Sequence, residues 1–356
     1  MRYASGKVLT PEGFIDGHVG FDGGYIQEVG KGKAKDPVVQ GIITPTLVNA
    51  HTHLADYIVP MDLSLSLEEL VAPPKGLKHR MLEEASDDIL VKSMIKMANL
   101  MRQRGISRYI DFREGGLRGA RLLSLSKGKP GVVIMGRPQG LSFDKEEIDT
   151  LLRVADGIGA SSLTDWDYSQ LLALAEFTKS KGKRFGIHVS EREREDIDKV
   201  LDLKPDFVVH MNQATSGDLE ACAKQGVPIV VCPRSNLFFG CETPLAEMLK
   251  AGASICLGTD NGMLCLPDIL LEMEFAGRLL RKQGVKDISS VLDMAIINGR
   301  KLLNETISIG IEPETPCDFM VTRSHNGNPS TDLVLRSSSM DPLMVCMGKE
   351  IWSGVQ

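Results

Sequence analysis

Five residues able to bind a metal ion or move a proton stand at the ends of short apolar runs. His51 and His53 close the run Thr46-Leu47-Val48-Asn49-Ala50, and His188 follows Phe185-Gly186-Ile187. His210 follows Phe207-Val208-Val209, and Asp260 follows Ile255-Cys256-Leu257-Gly258-Thr259. In an extended strand residues i and i+2 point to the same side, so His51 and His53 can offer two ring nitrogens to one ion. An H-x-H pair alone is a weak signal, and a single histidine at a strand end is more often structural. Four histidines and one aspartate at the same end of four strands are hard to explain as packing. Three imidazoles and one carboxylate suit Zn²⁺, with Fe²⁺ or Mn²⁺ as alternatives. A single protein-supplied negative charge leaves a divalent ion net positive, which favours hydroxide and draws the pKa of a water held there towards 7. The chemistry implied is metal-assisted hydrolysis.

The elements that position these residues alternate. Short apolar runs over 43–49, 106–112, 131–136, 152–156, 184–189, 206–210, 228–232 and 254–259 read as strands. Helix-period segments lie between and after them, over 87–103, 169–180, 217–225, 244–251, 268–283 and 288–303. This alternation argues for parallel βα units. Eight strands in about 260 residues fit a closed (β/α)8 TIM-like barrel better than an open sheet. A doubly wound sheet would favour a Gly-rich fingerprint after its first strand, where this chain has histidines. Barrel active sites lie at the C-terminal ends of the strands, which is where the five residues fall.

Both chain ends have a different character. Residues 1–42 carry Asp22-Gly23 between two short apolar runs, a hairpin signal. From about 308 onward, Asp318-Phe319-Met320-Val321 and Leu333-Val334-Leu335 read as strands and Asn326-Gly327 as a turn. Each end is too short to bury a core alone. The expectation is one small β-sandwich domain from 1–42 and 308–356, with the barrel spanning 43–307.

The motifs Asn49-Ala50-His51-Thr52-His53-Leu54, His188-x-x-Glu191, Cys232-Pro233-Arg234-Ser235-Asn236-Leu237 and Leu257-Gly258-Thr259-Asp260 resemble those of the amidohydrolase superfamily. The similarity is to its cytosine deaminase and chlorohydrolase branch, which includes deaminases of S-adenosylhomocysteine and guanine. It spans nearly the whole chain, including the tail segment Cys317-Asp318-Phe319-Met320-Val321. The resemblance implies that His51, His53, His188 and Asp260 are the metal ligands and that Glu191 shuttles protons. It implies that His210 holds the attacking water and stabilises the oxyanion, and that Asp260 also accepts the water proton. A single carboxyl cycling protons can activate a ring nitrogen and then the departing ammonia. Binuclear members bridge their ions with a carboxylated lysine on the fourth strand. The run Leu152-Arg153-Val154-Ala155-Asp156-Gly157 has none, so one ion is expected. The implied activity is aminohydrolysis of a small nitrogen heterocycle. The competing readings are hydrolysis of a cyclic amide or imide at the same metal site, and a non-catalytic scaffold. Homo-oligomers are frequent in the superfamily.

Substrate-facing positions depart from the pattern. His210-Met211-Asn212-Gln213, Gly157-Ile158-Gly159-Ala160-Ser161-Ser162 and Asn261-Gly262-Met263-Leu264 differ from the adenosine, S-adenosylhomocysteine and guanine deaminases and argue against those substrates. Arg113, Arg137 and Arg234 follow the second, third and seventh strands and could clamp a carboxylate or phosphate, unless salt bridges occupy them. Asp156 is a candidate for a substrate contact, and Asp62, His79 and Arg80 for a lid.

Composition narrows the rest. The 356 residues are 42% hydrophobic, ample for a large core, and the net charge of −6 is mild. No long basic block or membrane-length apolar run is present, so nucleic acid and membrane are not expected partners. The N-terminus lacks the apolar stretch of a signal peptide, which makes a cytoplasmic protein the default. Seven cysteines, an odd number without C-x-x-C spacing, read as reduced thiols.

Overall fold

The computed structural model describes residues 1–62, 64–65, 67–71, 76–126, 128, 130–305, 310–325 and 327–353. The chain groups into two compact units. One contains Met1–Val48, Asn99–Ser107 and the chain from Asp268 onward; the other contains Asn49–Ala98 and Arg108–Pro267. In chain order the strands are β1 (Arg2–Thr10), β2 (Gly13–Asp22), β3 (Tyr25–Lys31), β4 (Val39–Pro45), β5 (Leu47–His53), β6 (Ile106–Arg113), β7 (Gly131–Gly136) and β8 (Gly157–Ala160). They continue as β9 (Arg184–Val189), β10 (Phe207–His210), β11 (Ile229–Val231), β12 (Ile255–Leu257), β13 (Asp260–Asn261), β14 (Asp318–Thr322), β15 (Met344–Met347) and β16 (Glu350–Ser353).

The two chain ends meet in one sheet of seven strands, in the order β16-β15-β14-β4-β1-β2-β3. β14 pairs antiparallel with β4, placing Phe319 opposite Pro45. Alternate residues of these strands, including Val8, Val19, Phe21, Phe319 and Cys346, form an apolar core that neither end could enclose by itself. Phe21 and Phe319 meet edge-on with centroids 5.2 Å apart. The expected strand at Leu333-Val334-Leu335 is instead part of the helix Pro329–Arg336. Asn328 caps it by accepting from Thr331 N, and Pro329 takes the first turn, where its missing N–H costs nothing. These start signals outweigh three consecutive apolar residues. Of the expected Asn326-Gly327 turn, Asn326 lies outside the described residues.

The second sheet runs β12-β11-β10-β9-β8-β7-β6-β5-β13, and neighbours pair parallel from β6 to β12 and between β5 and β13. β12 and β13 are two halves of one eighth strand. Ile255–Leu257 pairs with β11, and Asp260–Asn261 pairs with β5. At the changeover Gly258 N donates to Val231 O and Thr259 N to His51 O, both at 2.9 Å, so this segment closes the ring into a TIM-like barrel. Asn49 and Thr259 reinforce the closure. Asn49 Nδ2 donates to Thr259 Oγ1 at 2.8 Å, and Thr259 N donates to Asn49 Oδ1 at 3.1 Å.

The fourth strand is displaced from its expected place at 152–156. Leu151 and Leu152 belong to the buried face of the helix Lys145–Leu152, and the strand is the next stretch, Gly157–Ala160. A Cβ on Gly159 would fall 2.4 Å from the Phe112 ring, so this position must be glycine, and a four-residue strand with Ile158 as its one large apolar residue escapes an apolar-run search.

Candidate metal centre and active-site cavity

β5 delivers His51 and His53, β9 ends with His188 before Val189, β10 ends at His210, and β13 begins at Asp260. The ligand atoms of His51, His53 and His188 lie within 4.8 Å of one another, and so do those of His51, His210 and Asp260. Asp260 Oδ1 is 3.5 Å from His51 Nε2 and 3.7 Å from His53 Nε2. Further contacts fix the rings. His188 Nδ1 donates to Ala160 O at 2.8 Å, leaving Nε2 as the lone-pair nitrogen. His53 Nδ1 lies 2.7 Å from Glu114 Oε1, which turns its Nε2 towards Asp260. Asp260 Oδ2 accepts from Ser235 Oγ at 2.5 Å and Asn261 Nδ2 at 3.2 Å. Such outer contacts orient ligating side chains in metal sites.

His51 is fully buried, yet neither ring nitrogen has a hydrogen-bond partner among the described residues apart from the long approach to Asp260. His210 Nδ1 is orphaned as well. Buried polar nitrogens are rarely left without a partner, and an ion held by His51 Nε2, the nitrogen 3.5 Å from Asp260 Oδ1, would supply one of the missing partners. The protonation states agree. Burial pushes His51, His53 and His188 down, His53 to about 3, so all three imidazoles are neutral at pH 7. Burial works against the charged Asp260, but its contact with His51 and the neighbouring imidazoles hold the carboxyl well below its usual range. Neutral imidazoles and an ionised carboxylate are the metal-ready forms.

The backbone at this end of the barrel is strained. Ser190, His210, Met211 and Asp260 have φ of 49°, 77°, 58° and 61°, in the left-handed region that disfavours side chains. Each costs about 1–3 kcal/mol and persists because the surrounding ladder holds it. At His210 the chain turns sharply off the strand, and the ring stacks against His188 with centroids 5.4 Å apart.

Glu191 sits one residue beyond Ser190, a third exposed, with Oε2 3.8 Å from His210 Nε2. Both line a cavity of about 430 Å³ together with His53, His188, Asp260 and Arg137. The sequence-level candidates thus separate. His51, His53, His188, His210, Asp260 and Glu191 come together. Arg137 lines the cavity and approaches Glu114 at 3.4 Å. Arg113 is buried and engaged by Glu114 at 2.6 Å and Asp111 at 3.5 Å, leaving its fork turned to the protein. Arg234 donates to Leu266 O at 3.0 Å and is not among the residues lining the cavity. Asp156 stands at the opposite, N-terminal end of β8, where its carboxylate accepts from Ile134 N at 2.9 Å. Of the lid candidates, Asp62 binds Ser64 and His79 lies against Val71 O; neither lines the metal-side cavity. Arg80 is exposed and is likewise not among its lining residues.

Sequence reasoning missed a buried polar network behind His53. Lys78, on the helix Leu77–Glu84, lies 2.9 Å from Asp56 Oδ2 and 2.7 Å from Glu114 Oε1. Burial lifts the Asp56 carboxyl to about 7 against the pull of Lys78. Asp111 Oδ2 accepts from Thr52 Oγ1 at 2.9 Å and Leu54 N at 2.7 Å, bracketing His53 from both sides in sequence. Glu114 had a signal in its place at the end of β6; Lys78, in a short helix after an irregular stretch, had none. The fourth strand, Gly157–Ala160, carries no lysine.

Three comparisons bear on this arrangement. The model of the amidohydrolase family matches residues 42–351. An uncharacterized protein of Methanocaldococcus jannaschii is 38% identical over 286 residues, 74% of each chain. A 5-methylthioadenosine/S-adenosylhomocysteine deaminase of Halobacterium salinarum is 27% identical, over 78% of this chain and 74% of its own. Among solved structures, 5-methylcytosine deaminase from Klebsiella pneumoniae, liganded with phosphonocytosine, superposes with a TM-score of 0.83 at 14% identity, covering 99% of this chain and 98% of its own.

Proposed function

Because the chain belongs to the amidohydrolase family, we propose that it is a metal-dependent aminohydrolase that removes an amino group from a small nitrogen heterocycle. The observation that carries this reading is the placement of the Glu191 carboxylate 3.8 Å from His210 Nε2, in the cavity lined by His53, His188 and Asp260. His51, His53, His188 and Asp260 would hold one divalent ion; the donor set suits Zn²⁺, with Fe²⁺ or Mn²⁺ as alternatives. When bound, the ion supplies the Lewis acidity that makes water a nucleophile at neutral pH.

The protein's own groups divide the remaining work. A neutral amidine carbon is a poor electrophile, and the Glu191 carboxyl activates it by protonating the adjacent ring nitrogen. His210, with its proton on Nε2, donates to the oxygen as negative charge develops there. Asp260 Oδ1 accepts the proton that water loses. The hydroxyl proton of the adduct, passed through Glu191 to the amino group, lets it depart as ammonia, and the proton held by Asp260 reloads Glu191. The net change is C–NH₂ plus water giving C=O plus NH₃, with the ring retained. Of the three arginine candidates Arg113, Arg137 and Arg234, Arg137 is the one that lines this cavity and is placed to meet a substrate substituent. The Halobacterium relative's name places deamination within reach of this sequence pattern. The departures around His210, β8 and Asn261 keep the substrate at the level of a nitrogen heterocycle.

No helix among the described residues is long and apolar enough to cross a membrane. None of the seven cysteines is joined in a disulfide, which fits a reducing, cytoplasmic setting.

The test is ammonia release across a panel of aminated purines, pyrimidines and triazines, with ring-opened products followed in parallel. Ring opening without ammonia would overturn deamination in favour of cyclic-amide hydrolysis. Glu191→Gln should retain its metal and lose roughly 10²–10⁴-fold in kcat; full turnover in that variant removes Glu191 from proton transfer.

A further inference from the structure

The alternating run Glu191-Arg192-Glu193-Arg194-Glu195 carries the proposed proton shuttle at its start, and its last member behaves unlike the rest. Arg192, Glu193 and Arg194 are exposed, whereas Glu195 is only 5% exposed. Its carboxylate accepts from Ser190 N at 2.6 Å through Oε2 and from Thr164 N at 3.0 Å through Oε1. Its own N–H donates to Ser190 Oγ at 3.0 Å. Ser190 and Glu195 thus bond reciprocally and close the loop between them. The second carboxylate oxygen ties that loop to the turn Leu163–Asp165, which follows β8. Burial raises the pKa of this carboxyl, and the amides of Ser190, Thr164 and Leu163 oppose it. Glu195 lines the cavity beside Glu191, but both of its oxygens are engaged by backbone N–H groups, so it is not placed to carry a proton.

We propose that Glu195 is a positioning residue for Glu191: it closes the loop that carries the shuttle and fastens that loop to the neighbouring wall of the cavity. The proposal rests on reading Glu191 as the proton shuttle. Ser190 is where the chain leaves β9 for Glu191, and its φ of 49° is a left-handed conformation that persists when its surroundings hold it. The Glu195 carboxylate holds it at the Ser190 N–H, and a hydrogen bond to an ionised acceptor is roughly twice as strong as a neutral one. The backbone dihedrals at Ser190 set the direction in which the Glu191 side chain leaves the strand end. Other bonds hold the far side of the same turn. Gln213 N donates to Ser190 O at 2.9 Å, and Asn212 Nδ2 donates to Glu191 O at 3.3 Å. Arg194 anchors the outer edge of the loop to Asp218 by two bonds of 2.8 Å. Glu195 is the tie that reaches the β8 side, where Ser161, Ser162, Thr164 and Asp165 line the same cavity. A catalytic group needs such support, because a displacement of about 1 Å can cost roughly 10²-fold in rate.

The experiment compares wild type, Glu195→Ala, Glu195→Gln, Glu191→Gln and Glu191→Gln/Glu195→Ala, each loaded with Zn²⁺, on a heterocycle that wild type deaminates. Glu195→Ala should keep its metal and lose roughly 10–10²-fold in kcat. Glu195→Gln preserves size but turns an NH₂ towards one of the two amides, so it should lose at least about fivefold; it carries the test if the alanine variant fails to fold. In the Glu191→Gln background, Glu195→Ala should cost under about twofold, because a residue that works through Glu191 then has nothing to position. Deuterium exchange followed by mass spectrometry reads the clamp without turnover: peptides containing Ser190 and Thr164 should exchange faster in Glu195→Ala. Wild-type kcat in both Glu195 variants, an equal loss with and without Glu191, loss of the metal from Glu195→Ala, or unchanged exchange at Ser190 overturns the proposal. Full turnover in Glu191→Gln fails the shuttle reading and takes the proposal with it; that result is distinct because it arises with Glu195 intact.

Discussion

Gly258→Ala isolates the link between barrel closure and the metal centre. Gly258 lies where the eighth strand passes from β11 to β5, and a Cβ there would sit 2.7 Å from His51 Cβ, 2.9 Å from His51 N and 3.0 Å from His51 O. Ordinary Cβ contacts begin near 3.4 Å, so either β5 or the crossing segment must give by roughly 0.7 Å. Two of the three contacts are backbone atoms, which no rotamer change can relieve, and Thr259 N donates to the same His51 carbonyl at 2.9 Å. Overpacking of this kind costs about 1–3 kcal/mol, lowering Tm by roughly 2–12 °C in a unit of this size. His51 carries the shift directly, and a ligand moved by more than about 0.5 Å falls outside productive geometry, so metal affinity should drop at least tenfold. Thermal melts of chelator-stripped protein give the first quantity, and competition with a metal-sensitive dye gives the second. A variant with Tm within 1 °C of wild type and an unchanged metal Kd would show that Gly258 does not set the position of His51.

Two further outcomes follow from buried carboxylates. Asp111→Ala removes the side-chain acceptor of Leu54 N and leaves Thr52 Oγ1 with Ile110 O and Arg113 with Glu114, and should cost about 1–3 kcal/mol in urea unfolding; a loss under about 0.5 kcal/mol would refute the role of this network in holding the strand end. Asp218 takes two 2.8 Å hydrogen bonds from Arg194 and accepts from Thr215 N at the head of the helix Ser216–Gln225. The Arg194 hydrogen bonds, the largest effect, outweigh burial and, with the contacts from Thr215, draw its carboxyl below the ordinary value. A depressed folded-state pKa stabilises above the unfolded value and is lost as pH falls through the folded one. Asp218→Asn should therefore cost about 1 kcal/mol at pH 7, discounted because Arg194 is half exposed, and the gap should close below roughly pH 4. Chemical unfolding across pH 2–8 checks this, and a gap unchanged at low pH would assign the loss to capping geometry instead.

The gathering of His51, His53, His188, His210 and Asp260 was legible in the sequence because strand geometry is local. Period-two alternation puts His51 and His53 on one side of β5, and apolar runs ending in His188, His210 and Asp260 mark strand ends. Glu191 was legible only through resemblance, since its run of alternating charges looks like a solvated helix start. The fourth strand was misplaced because its glycine-rich sequence answers to its neighbours' bulk, here the Phe112 ring, and not to its own hydrophobicity. Leu333-Val334-Leu335 was misread because a short apolar run has no period of its own, and the Asn328-Pro329 cap decided for helix.

What the sequence determined by itself was the set of donor residues and the barrel that gathers them, because both follow from short-range periodicity and βα alternation. Tertiary structure decided which charged groups are spent on each other. Arg113 is consumed by Glu114 and Asp111, Asp156 stands at the far end of its strand, and Lys78 enters from a distant helix to meet Asp56 and Glu114. The Lys78 pairings depend on distances of a few ångströms between segments separated in the chain, which spacing along the polypeptide does not encode, and for Arg113 its close neighbours Asp111 and Glu114 were candidates that only the folded geometry could select.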